Sequence, residues 1–234
     1  MVMYSDIEYK ATKLIKQGKE TINSDFAQLA KWIDETYDVK IMNIIYDTIK
    51  ADNRPRLQII FEFENAVNKF RDNLKQVFNF NEEKQQAIGN QFKEIVSSKR
   101  DARKWSILNF LKKDEYQTEG LFVVFSAFEP IAKAEAIEKI PKSRIKELKA
   151  QIGNSDIWEV ITAWHTAIFF FYTENQVEEN ANNGVKEHLS KLFFALLKPL
   201  DEFNYFKEQD YSISLDSKEN FDKNYEGNWY YYFK

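Results

Sequence analysis

Ala163-Trp164-His165-Thr166-Ala167-Ile168-Phe169-Phe170-Phe171-Tyr172-Thr173-Glu174-Asn175 is the most apolar and most aromatic run of the chain. It stops abruptly at polar residues, and helical spacing follows. With its lead-in from Ile157, it reads as one long strand ending near Tyr172 and running into a helix. Consecutive phenylalanines in a strand alternate faces, so Phe169 and Phe171 point one way and Phe170 the other. Neither face of such a strand belongs in water. It is therefore expected to be internal and covered on both sides, with the helix of Leu189, Leu192, Phe193 and Leu196 as one cover. Thr173 and Gln176 have the spacing of a capping box for the helix that follows.

The flanking chain supplies partners for this strand. Val39–Ile49 and Leu57–Phe63 are rich in β-branched and aromatic residues, and the polar connector between them contains Asn53 and Pro55. That pattern predicts an antiparallel hairpin. Gly120 introduces a short strand over Leu121–Phe125. Tyr211–Leu215 offers another, followed by a helical turn capped at Ser217, and Trp229–Phe233 is a last strand or an aromatic clasp. Helical spacing covers Ile7–Gly18, Phe26–Tyr37, Val67–Phe78, the stretch from Asn81, Trp105–Leu111, Ile131–Ile137, Ile145–Ile152 and Val185–Leu197. Three segments, 59–65, 123–130 and 168–175, each run from an apolar strand through an acid into a helix. The fold expected is α+β: a mixed or antiparallel sheet of about five to six strands covered by helices, in the manner of two ferredoxin-like halves. No linker rich in Gly, Ser or Pro interrupts the sequence. Residues 1–234 are accordingly expected to form a single compact domain, with pseudo-halves of about 1–115 and 116–234.

Composition narrows the function classes. With 44% hydrophobic and 30% charged residues, the chain can bury a sizeable core. Six Gly and four Pro are too few for a turn-rich β-sandwich. The absence of cysteine excludes disulfides, thiolate metal sites and thiol nucleophiles. No basic segment followed by an apolar run opens the chain, and no apolar stretch reaches the ~20 residues of a membrane span. A soluble, cytoplasmic protein is expected. The net charge of −4 conceals an asymmetry. Residues 81–113 carry eight Lys and Arg against four acids, whereas residues 201–234 carry four Lys against eight acids.

Few residues suggest chemistry. Glu62, Glu64, Glu129, Glu174 and Asp216 lie at strand ends. Glu64, Glu129 and Glu174 would share one rim if their strands were parallel neighbours, and with His165 they are the candidate metal ligands. Helix capping accounts for each of them singly. His188 reads as a surface helix position. The glycines are too scattered for a phosphate loop, and no Gly-x-Ser-x-Gly elbow occurs, so no nucleotide or other cofactor is expected. Lys99, Arg100, Arg103 and Lys104, with Trp105 and Lys112-Lys113, form a basic, aromatic segment that a solvated helix face explains as well. The reading that follows is a non-enzymatic interaction module whose partner is another protein or a second copy of the chain, one version of it neutralising that partner. The alternatives are a metal-assisted hydrolase using the strand-end carboxylates and a single-stranded nucleic-acid binder using residues 99–113.

Overall fold

β-Branched and aromatic runs become strands, and the amphipathic runs between them become helices. The computed structural model describes residues 3–72, 79–104 and 116–234, the side chains of 101–104 excepted. Its fold is mixed α and β, with six strands in two three-stranded sheets instead of one. The chain divides into two compact units, Met1–Ile131 and Ala132–Lys234.

The first unit contains α1 (Ile7–Lys16), α2 (Ala27–Tyr37), β1 (Ile41–Thr48), β2 (Pro55–Phe61), α3 (Glu64–Asn68), α4 (Glu82–Lys104) and β3 (Phe122–Ala127). Helix α5 (Phe128–Glu138) crosses the division. β1 pairs antiparallel with β2 as the expected hairpin. Asn53 takes the left-handed conformation in the loop at φ 56°, and Pro55 opens β2, where a missing N–H is harmless. β2 then pairs in parallel with β3. Phe61, Phe70 and Phe125 stack in the core, the last two with ring centroids 4.4 Å apart. The helix expected over Val67–Phe78 is cut short: α3 ends at Asn68, and Leu74, Val77 and Phe78 lie outside the described residues, as does Trp105–Leu111.

The second unit contains α6 (Lys142–Ile152), β4 (Ile157–Ala163), β5 (Thr166–Phe171), α7 (Glu174–Asn182), α8 (Val185–Leu197), β6 (Ser214–Ser217), α9 (Lys218–Tyr225) and α10 (Trp229–Tyr232). The single long strand expected from Ile157 to Tyr172 is in fact the β4–β5 hairpin, reversing at Trp164-His165. Trp164 makes the reversal by adopting φ 51°, a conformation that turns usually give to Gly, Asn or Asp. The left-handed conformation costs other residues about 1–2 kcal/mol, so Trp164→Asn should stabilise the protein by roughly 0.5–1 kcal/mol. Urea titration would measure this, and a destabilised variant would mean that the exposed indole makes a compensating contact.

β5 is the central strand, antiparallel to β4 and parallel to β6. Phe169, Phe170 and Phe171 are each 0% exposed, so both faces are covered. Phe169 and Phe171 share a core with Leu189, Phe193 and Leu197 of α8. Phe170 meets Phe221, Trp229 and Tyr232 of α9 and α10 instead. The Trp229–Tyr232 segment is thus an aromatic clasp, built as a helical turn rather than a strand. The Thr173–Gln176 capping box forms as its spacing implies.

Among the described residues, the two units share one plan that is not ferredoxin-like: a helix, an antiparallel hairpin, two helices, a third strand parallel to the second, and a closing helix. The repetition extends to detail. Each first strand has a register irregularity at the same place, between Ile41 and Asn43 and between Ile157 and Glu159. In each, the side chain there accepts the next amide: Asn43 Oδ1 from Ile44 at 2.9 Å, and Glu159 Oε1 from Val160 at 3.0 Å. Beyond the parallel pair, Glu129 N donates to Glu62 O, and Glu219 N donates to Tyr172 O.

Candidate functional site

The strand-end acids are held by near neighbours. β2 and β3 are parallel neighbours, so Glu64 and Glu129 do follow strands that end together, whereas Glu174 follows β5 in the other sheet. Glu64 pairs with Arg71 at 2.6 Å and Glu62 with Lys16 at 2.5 Å. The backbone amide of Glu174 is capped by the Glu219 carboxylate. Asp216 accepts from Asn220 at 2.8 Å and from the Tyr232 hydroxyl. His165 is exposed in the β4–β5 turn, and the whole of β5 separates it from Glu174, about 20 Å along the strand. Among the described residues, no group of three His, Asp or Glu side chains gathers closely enough to hold a metal ion. In the first unit, Arg56 grips Asp47 through two bonds, at 2.8 and 2.5 Å, and Glu8 lies 3.5 Å from the same guanidinium. The Asp47 hydrogen bond is the main reason the Arg56 guanidinium is held above its usual pKa. Of the basic segment, Lys99 bonds to Asp25 at 2.8 Å and Arg100 to the carbonyl of Tyr116. Arg103 and Lys104 end α4 with side chains outside the description, and Trp105, Lys112 and Lys113 lie outside the described residues.

An arrangement open to another molecule lies in the second unit. Among the described residues, β4 has a strand neighbour on one side only. Along its other edge runs a groove of 960 Å³, with α6 as one wall and α10 with Phe233 as the other. Paired residues of a sheet share a face, so Ile157 and Val160, opposite Phe171 and Phe169, point to the α6 side. Glu159 and Ile161, opposite Phe170 and Ile168, point to the α10 side. The groove is therefore the free edge of a sheet recessed between its two helical layers.

Local sequence makes each wall. On α6, Lys142, Lys146 and Lys149 follow a spacing that aligns them on one helical face, and all three line the groove. Trp229 and Phe233, four residues apart, form the opposite wall at 36% and 45% exposure. Trp229 is seated by stacking on Trp158, with ring centroids 5.9 Å apart and planes 6° from parallel. The edge itself is only lightly occupied. Lys149 Nζ donates to the Trp158 carbonyl, and the Val160 amide donates to the Glu159 side chain. The two-residue period of a strand sends the main-chain groups of Thr162 to the same side as those of Val160. The sequence carried one signal of this site, the lysine spacing in Lys142–Lys149, which periodicity alone assigns to a solvated helix face.

The equivalent edge in the first unit carries a smaller groove over Asn43–Tyr46, besides one of 820 Å³ next to Ile41 and Met42. The smaller groove measures 450 Å³ and contains Tyr116. The Tyr116 ring lies 5.0 Å from that of Tyr46 and 5.5 Å from that of Phe26. The Tyr46 hydroxyl bonds to both the amide and the carbonyl of Gln117, at 2.9 and 3.1 Å.

Comparison with known proteins finds no family model that matches the sequence, no curated protein similar to it, and no solved structure that matches its fold.

Proposed function

We propose that this protein is an interaction module whose second unit takes an extended segment of another protein as an added strand along β4. The carrying observation is the recessed edge: a strand that lacks one neighbour among the described residues, flanked by a cationic wall and an aromatic wall of a 960 Å³ groove. Exposed sheet edges bind peptides through main-chain hydrogen bonds, while pockets on either side select alternate side chains. The irregularity at Glu159 and the side chains of Lys149 and Glu159 act as guards against indiscriminate pairing, a usual defence of open edges. Both are single, exchangeable side-chain bonds that a paired strand replaces with its own N–H and C=O groups. The exposed aromatics continuing from the groove, Tyr230 and Tyr231, extend the surface a partner would bury.

Thr162→Pro tests the reading. Proline is tolerated on a strand edge but removes the one N–H that an added strand would use there. Immobilised wild-type protein should retain a partner chain that the variant, with an unchanged far-ultraviolet dichroism spectrum, does not. Equal retention by both would remove strand addition as the mode of binding.

A further inference from the structure

Resting on strand addition along β4, the geometry points to an occupant of defined chemistry: an acidic, extended segment of a partner protein in which carboxylates alternate with apolar or aromatic residues. A strand laid beside β4 sends successive side chains to opposite faces of the sheet. Those on one face meet α6, where Lys142 and Lys146 are exposed and Lys149 stands beside them. Those on the other face meet Trp229 and Phe233. Alternate positions therefore meet ammonium groups and aromatic rings in turn.

Charge sets the sign. Among the described residues, Glu159 is the single acid lining the groove, and its carboxylate accepts from the Val160 amide. Three lysines against one engaged acid make a cationic trough in a chain whose net charge is −4. Lys142 and Lys146 ring the groove as exposed charges of the kind that govern encounter rate and salt dependence. The first unit supports the form of the occupant. There the matching edge is approached by a non-helical stretch, Tyr116-Gln117, whose aromatic ring enters the groove and whose main chain is bonded through Tyr46. A single-stranded nucleic acid is also anionic and able to stack. The unpaired strand edge favours a peptide, because it offers main-chain donors and acceptors in the register that another strand supplies.

The deciding experiment selects binders from a random peptide library on the immobilised full chain, using peptides about ten residues long, enough to run beside β4. The binders are then sorted by whether the Thr162→Pro variant still holds them. Binders that depend on Thr162 should be enriched in Asp and Glu alternating with apolar residues. Their affinity should weaken with rising salt and fall about fivefold or more in Lys142→Glu/Lys146→Glu, which alters only exposed side chains. Thr162-dependent binders without acidic enrichment would overturn the acidic occupant and leave strand addition standing. Binders absent altogether, or all indifferent to Thr162→Pro, would overturn both. An oligothymidylate of similar length that binds the wild type and is lost in the double lysine variant would assign the groove to nucleic acid and overturn the peptide.

Discussion

Phe170→Ala should destabilise the protein by about 3–5 kcal/mol, the usual cost of truncating a fully buried phenylalanine. The ring is 0% exposed and sits among Trp158, Phe221, Trp229 and Tyr232, with centroid separations of 5.9, 6.2, 5.4 and 5.3 Å. Alanine there removes the ring on which α9 and α10 rest. Phe171→Ala should cost a similar amount on the opposite face, where α8 provides the cover. The two variants differ in a second readout. Near-ultraviolet dichroism reports the environments of Trp158 and Trp229, so Phe170→Ala should alter it strongly and Phe171→Ala little. Urea titration gives the energies. A loss under about 1 kcal/mol for Phe170→Ala would mean that α9 and α10 do not bury this face in solution.

Alkaline pH should destabilise the second unit progressively once it passes the ordinary tyrosine pKa near 10, with Tyr211 as a main cause. Its ring packs against Phe193 and Phe206, and its hydroxyl is buried without a partner at hydrogen-bonding geometry among the described residues. Burial pushes its pKa up to about 12, with the nearby Thr166 and Ala167 only softening the shift. The folded state therefore keeps the proton longer than the unfolded chain does. Its contribution is fully present below about pH 10 and is lost as pH rises toward 12, an expected decline of about 2–3 kcal/mol. Tyr232 acts in the same direction, held above its usual value by burial and by its bond to Asp216. Tyr211→Phe should remove most of the Tyr211 share. It should also raise stability at neutral pH by about 1 kcal/mol, since an unpaired buried hydroxyl is a cost. Urea midpoints across the alkaline range would check both. An unchanged pH dependence in Tyr211→Phe would place the titrating group elsewhere.

Much of the fold was legible because local chemistry decides it. The β1–β2 hairpin follows from two β-branched runs around Asn53 and Pro55, and α7 begins where Thr173 and Gln176 say it should. The burial of both faces of β5 follows from three adjacent phenylalanines. The reversal at Trp164-His165 was not legible, because neither residue is a turn former and the apolar run passes through the turn unbroken. The division into two sheets was equally hidden. Strand order is decided by which distant segment arrives beside β2 or β5, and β3 and β6 carry no local mark of that choice. The candidate groove depends on the same choice. β6 joins β5 on the side away from β4, and only that placement leaves the β4 edge beside the lysines of α6. Glu64, Glu129 and Glu174 looked alike in sequence because every strand-to-helix junction of this plan favours an acid. The plan occurs twice, so the likeness reflects repetition of the architecture.

The central position of β5 also governs how the chain must acquire its structure. Its partner β4 is joined to it by two residues, and such hairpins close in microseconds. Its other partner, β6, begins more than forty residues later and must cross α7 and α8 to reach it. Long-range parallel pairing of this kind is slow, because chain entropy is lost before the contacts compensate. During that interval the Ile168–Phe171 backbone is an unpaired apolar edge, the form of strand most prone to join its copies on other chains. Refolding from denaturant should therefore give soluble protein in high yield only when dilute. Losses to aggregation should rise steeply with concentration, even though the finished fold buries all three phenylalanines of that strand.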